Sequence, residues 1–267
     1  MISKTLCLAA KLLTVALVSG ALTRAAAAED KFDIPAPSAL NNAFRLNLWS
    51  TYYYVSSAKA LPIEQPFKLL GKQGKVLGVS LGAKDWCIAA VEGTVSVRAE
   101  QNAARTFNYA GLGGRQVDCL RFFPSLKPAI GKSLFHEVPG DAPYGLGDTS
   151  KFRLVPYRSI AVDRSQPAFR LKSGAQLRKV AVYIPGLRGI KIKMPDGQLR
   201  EHDGYVFAAD TGGAIKGNHV DFFLGVEHTN PAPRLIMSKA TPTFAAYLVE
   251  DVAIREALYK LHERIGP

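Results

Sequence analysis

The stretch DTGGAIKGNHVDFF, Asp210 to Phe223, sets two aspartates eleven positions apart around a glycine-rich turn that runs into an apolar strand. Gly212, Gly213 and Gly217 are expected to adopt positive φ and to let a ligand approach the main chain closely. Val220, Phe222 and Phe223 are strand formers, so Asp221 is expected on a rigid strand beside a loop with room for a substrate. The same letters also fit a plainer arrangement, with Asp210 opening an Asx turn and Asp221 facing water. The remainder of the chain has to decide between the two.

Working outward, RSIAVD, KVAVYIP, IKIKM, GYVFAAD and VDFFLGV read as short strands. Upstream, NAFRLNLWSTYYYV alternates and is aromatic and β-branched, which predicts another strand. Between residues 66 and 150, VLGVSL, TVSVRA and RTFNYAG are strand candidates broken by Gly and Pro, as expected of a separate all-β region. Residues 138 to 150 carry Pro139, Gly140, Pro143, Gly145 and Gly147, a loop at its boundary. At the end, EDVAIREALYKLHERI places Ala253, Ile254, Ala257, Leu258 and Leu261 on one helical face, a packing helix.

The first 28 residues have the form of a secretory leader: Lys4, an apolar run from Leu12 to Val18, then Ala26 and Ala28 before Glu29. The run is shorter than the roughly 20 residues a spanning helix needs, so export without stable membrane insertion is expected, with the periplasm as the destination. Removing the leader takes away Cys7 and leaves Cys87 and Cys119. In an oxidising compartment that pair reads as one disulfide, with two unpaired buried thiols as the alternative. The net charge of +12 falls to +9 without Lys4, Lys11 and Arg24. Dispersed positives at Arg153, Arg158, Arg164, Lys172 and Arg178 suit an acidic polymer or a solvated surface. No nucleic-acid motif accompanies them. His202 with Asp203, and His219 with Asp221, lack a third spaced ligand, so no metal site is expected.

RSIAVD (Arg158 to Asp163), AADTGGAIKG (Ala208 to Gly217) and HVDFFLG (His219 to Gly225) resemble the three-aspartate, or 3D, domain, whose aspartates match Asp163, Asp210 and Asp221. Among families with that domain, the chain resembles the membrane-bound lytic transglycosylase A family. Thr51, Tyr53 and Tyr54 are similar to its early Thr-Gly-Tyr-Tyr segment, and Asn108 to Arg115 is similar to a Tyr-Ala-Gly segment of its inserted second barrel. The resemblance implies a mainly β fold: a double-psi β-barrel with a smaller inserted β-domain and a C-terminal helix. The corresponding division is a leader over 1–28, barrel strands over 29–65, an insertion over 66–150, the barrel with its three aspartates over 151–250, and the helix over 251–267.

The resemblance further implies an enzyme without cofactors that cleaves peptidoglycan glycan strands, leaving 1,6-anhydromuramoyl ends. Asp221 matches the catalytic acid and base, and Asp210 and Asp163 its supports. Thr51, Tyr53, Gly212, Gly213 and Lys216 are candidates to contact substrate. An aspartate at the ordinary value of about 3.9 is protonated only about one part in a thousand at pH 7, so Asp221 is expected to titrate high. Burial among Val220, Phe222 and Phe223, or a like charge at Asp210 if the loop folds back, would raise it. Two other readings stand beside this one: a non-catalytic wall-binding module on the same barrel, and a hydrolase using a second carboxylate such as Glu201 or Glu227.

Overall fold

The computed structural model describes residues 30–99, 103–147, 152–169 and 180–264. The leader at 1–28 lies outside the described residues. Along the chain run β1 (Arg45–Tyr53), β2 (Ser56–Lys59), β3 (Lys68–Leu70), β4 (Val76–Ser80), α1 (Ala83–Glu92), β5 (Thr94–Arg98), β6 (Arg105–Leu112) and β7 (Ser133–Glu137). Then follow β8 (Ser159–Val162), β9 (Ala181–Tyr183), β10 (Lys191–Lys193), β11 (Leu199–Glu201), β12 (Tyr205–Thr211), β13 (His219–Phe223), β14 (Phe244–Leu248) and α2 (Val252–His262).

Six strands close a barrel in the order β1-β13-β8-β12-β9-β14. The pairs β1/β13 and β8/β12 are parallel and the others antiparallel. Alternation fills it: Leu48, Ile160, Val162, Val182, Val206, Ala208, Val220, Phe222 and Ala246 form one buried cluster. On the opposite face of the same strands, Ala181, Tyr183, Tyr205, Phe207 and Phe223 pack with Leu258 of α2. On that helix Leu258 and His262 are buried while Ala253 and Ala257 are exposed, so the packing stripe is narrower than the sequence pattern suggests.

Two β-strand expectations need amending. The chain leaves the barrel after Tyr53, since β2 pairs with β5 in a four-stranded sheet β2-β5-β6-β7; residue 65 is well past that exit. The region after it is also not all β. It contains α1, which buries Trp86, Cys87, Ala89 and Ala90 against the sheet and ends at Gly93 in a left-handed conformation. Cys87 on α1 is bonded to Cys119, tying the helix to the turn Cys119–Arg121. The mainly β architecture, the closed barrel, the smaller β-rich unit and the terminal helix are all as expected from the sequence.

Candidate active site

The register of the barrel places the three key side chains on one line. Thr51 of β1 pairs with Asp221 of β13, Asp221 pairs with Ala161 of β8, and Ala161 pairs with Asp210 of β12. Thr51, Asp221, Ala161 and Asp210 therefore form a row across four adjacent strands. A bulge in β12 sets this up. Ala208 pairs with Ile160 and Asp210 with Ala161, so Ala209 is the extra residue that carries Asp210 into the row. On β1, period two puts Trp49, Thr51 and Tyr53 on this face and Leu46, Leu48 and Tyr52 against the barrel core.

Hydrogen bonds hold the row together. The Thr51 hydroxyl donates to Asp221 Oδ1 at 2.5 Å and contacts His219 Nε2 at 2.9 Å. Because the one hydroxyl proton of Thr51 is given to Asp221, His219 must present its Nε2–H to Thr51. The His219 ring stacks on Trp49 with centroids 3.6 Å apart, and its burial holds its pKa down, consistent with a neutral ring. Asp210 Oδ2 accepts from the Tyr53 hydroxyl at 3.0 Å and Oδ1 accepts from the Thr211 backbone N–H at 2.8 Å.

Burial pushes Asp221 up to about 6, against the opposing hydrogen bond from Thr51. Asp210 also rises to about 6, chiefly by burial, with the Asp221 charge adding to it against its hydrogen bonds from Thr211 and Tyr53. No folding back of the loop is involved: the two acids face each other from strands either side of β8. Asp163, just past β8, does the opposite. It accepts from Gly217 N at 2.8 Å and from Ser165 N and Oγ at 2.9 and 2.7 Å, which hold it down at about 2. It thereby pins the β12–β13 loop to β8 and stays anionic.

Of the loop glycines only Gly217 has a positive φ, at 61°; Gly212 and Gly213 do not, which corrects the expectation for both. Gly213 nevertheless opens onto empty space, and both line the groove. Lys216 is exposed, and its charge acts on Asp163. Glu201 is exposed on β11, and Glu227 pairs with Lys193 at 3.2 Å, so neither is the second carboxylate of this site. His202 is committed to Tyr157 O and Gly204 N, and burial takes it down to about 4.

The row of acids forms one wall of a groove of about 1680 Å³ between the barrel and the smaller unit. Asp210, Gly212, Gly213 and Asp221 line it from the barrel, and Glu92, Asn108 and Tyr109 from the other side. Glu92 was missed in the sequence because the helix it ends was missed. The signal was present: Trp86, Ala89 and Ala90 at helical spacing before the stop at Gly93.

No curated protein matches the chain in sequence. Among solved structures it is similar to E. coli MltA with bound chitohexaose, at 17% identity and TM-score 0.47, covering 76% of this chain and 71% of that one. It is also similar to the membrane-bound lytic murein transglycosylase from Agrobacterium tumefaciens, at 14% identity and TM-score 0.46, covering 80% and 78%. A third is the lytic transglycosylase LtgG of Burkholderia pseudomallei, at 19% identity and TM-score 0.37, covering 78% and 72%. Residues 158–231 match the family model of the 3D domain, and since Asp163, Asp210 and Asp221 all fall inside it, this stretch of the chain is a 3D domain.

Proposed function

We propose that this protein is an exported peptidoglycan lytic transglycosylase with Asp221 as its acid and base. The observation that carries the reading is the row Thr51–Asp221–Ala161–Asp210, which sets a carboxyl group of raised pKa in the wall of a long groove. With Asp221 at about 6, about one molecule in ten carries the proton at pH 7, roughly a hundredfold more than at the ordinary value. That proton passes to the oxygen bridging N-acetylmuramic acid and N-acetylglucosamine as the C1–O bond breaks. The muramoyl 6-hydroxyl oxygen closes on C1, and its proton returns to the Asp221 carboxylate.

One carboxyl group suffices because the nucleophile belongs to the substrate and its effective concentration is high. Thr51 fixes the rotamer of Asp221, and His219 fixes Thr51. Tyr109, 44% exposed on the opposite wall, offers a face for a sugar ring, and Lys72, Lys75 and Lys127, which also line the groove, suit stem-peptide carboxylates. The Cys87–Cys119 disulfide fits an oxidising compartment. Among the described residues no helix is long and apolar enough to cross a membrane.

The test is mass spectrometry of sacculi digested with the protein and with Asp221→Asn. Soluble 1,6-anhydromuropeptides are expected from the native chain, with a loss of about a thousandfold or more in the variant. Reducing ends would make it a hydrolase. Retention on sacculi without cleavage would leave a binding module.

A further inference from the structure

Trp49 and Thr51 of β1 pair in register with His219 and Asp221 of β13, so the four side chains form a block on the groove-facing side of two parallel strands. One diagonal of that block is bridged. His219 Nε2 lies 2.9 Å from the Thr51 hydroxyl oxygen, which lies 2.5 Å from Asp221 Oδ1. The His219 ring is buried and lies flat on Trp49, the two planes 7° apart. Its backbone N–H donates to Lys216 O, and that of Trp49 to Asn218 O, so the main chain on either side of the stack is fixed as well.

The direction of this chain, from His219 Nε2–H to Thr51 to Asp221 Oδ1, is the one that survives ionisation of the acid. In the reverse direction Asp221 would donate from Oδ1 to Thr51, and Thr51 to a bare Nε2. That arrangement fails once Asp221 loses its proton, because two acceptors then compete for the single Thr51 hydrogen. In the forward direction Oδ1 accepts whether or not Oδ2 carries a proton. Among the described residues no group bonds to His219 Nδ1 or to Asp221 Oδ2, so nothing holds the ring proton on Nδ1, and Oδ2 is left for substrate.

We propose that His219 is a positioning residue acting through Thr51, keeping Asp221 Oδ1 an acceptor in both protonation states so that the catalytic proton leaves from and returns to Oδ2. The proposal rests on the transglycosylase reading and adds to it the oxygen that does the chemistry and the tautomer that selects it. A single carboxyl serving as acid and then as base needs one oxygen aimed at the substrate in both halves of the reaction. A donor chain that never reverses supplies this without reorganisation while the bond breaks. Burial keeps the His219 pKa below its ordinary value, and a ring that gained a second proton would still present Nε2–H.

Long-range 1H–15N correlation on the full chain identifies the protonated ring nitrogen of His219. Nε2 is expected, and a proton on Nδ1 overturns the proposal. His219→Phe keeps a ring on Trp49 and removes the donor. At pH 5, where Asp221 is already mostly protonated, kcat for anhydromuropeptide release should fall about fivefold with KM little changed, and the Asp221 midpoint in a carboxyl 13C titration should rise. His219→Gln, which returns an N–H to the same place, restores most of the rate. In a Thr51→Val background His219→Phe costs nothing further, because its effect passes through the missing hydroxyl. An unchanged His219→Phe, equal losses in the Phe and Gln variants, or losses that multiply with Thr51→Val reduce His219 to a packing residue and overturn the proposal. A native protein that releases no anhydromuropeptides at any pH overturns the transglycosylase reading instead, and the tautomer and the midpoint shift then decide the hydrogen-bond lock by themselves.

Discussion

Asp221 on β13 and Asp163 just past the neighbouring β8 are the same residue type, yet burial raises one to about 6 and hydrogen bonds lower the other to about 2. The difference is in what surrounds them: Asp221 is desolvated with one hydroxyl donor, while Asp163 receives two backbone N–H groups and a serine hydroxyl. The raised carboxyl is the one suited to the proton transfer proposed above, and the lowered one anchors a loop. It also has a cost in stability. A carboxyl whose folded pKa is raised above its unfolded value destabilises the fold as pH rises from about 3.8 through about 6. Asp221→Asn is therefore expected to be more stable than the native protein at pH 7, on the order of 1 to 2 kcal/mol, and equally stable at pH 3.5, as urea midpoints at the two pH values would reveal. Thr51→Val removes the donor that favours the ionised form. The Asp221 midpoint should then move upward in a carboxyl NMR titration, while the rate at the optimum falls roughly tenfold because the acid is no longer held in place.

At the scale of elements, the site depends on a strand register and a helix end. The β12 bulge at Ala209 brings Asp210 opposite Ala161, where Tyr53 reaches it. Without the bulge, a regular ladder over the same residues would set Ala209 opposite Ala161 and Asp210 opposite Val162, whose side chain faces the barrel core, so the acid would leave the groove face. On the other side of the groove, α1 carries Glu92 and is tied down by the Cys87–Cys119 bond, which closes a span of 32 residues. Replacing both cysteines by alanine is expected to cost about 3 to 4 kcal/mol of stability on the chain-entropy argument. The loss should appear first as faster amide hydrogen exchange across β5, β6 and α1, with the barrel strands little affected.

For the whole molecule, the keystone on the barrel side is Arg158, which is fully buried. It bonds to both Asp30 oxygens, to both Asp203 oxygens and to Tyr205 O, and its guanidinium lies 4.2 Å from the centre of the Phe32 ring. Through it the segment from Asp30 to Pro35, including Phe32 in the core cluster, is fastened to strands more than a hundred residues away. Arg158→Met would leave two buried carboxylates without their cation. We expect it to cost about 3 to 5 kcal/mol, read from the urea midpoint, with the groove chemistry intact in the fraction that remains folded.

Local chemistry was enough to read several parts of this protein from its letters. Period-two alternation located most of the barrel strands, the spacing from Asp210 to Asp221 picked out the acids, and a terminal amphipathic stretch announced α2. These features are legible because each is determined by neighbours within a few residues. What depended on distant partners was not. β14 closes the barrel, yet Phe244–Leu248 has no clean alternation because its partners β1 and β9 decide its faces. The helix α1 hid in a region read as strands, since burial on the disulfide side favours Trp86 and Cys87 over strong helix formers. The motif named Asp221, but only the fold could set Thr51 against it and bury it, because a hydrogen bond and desolvation act through space, here across 170 residues of chain.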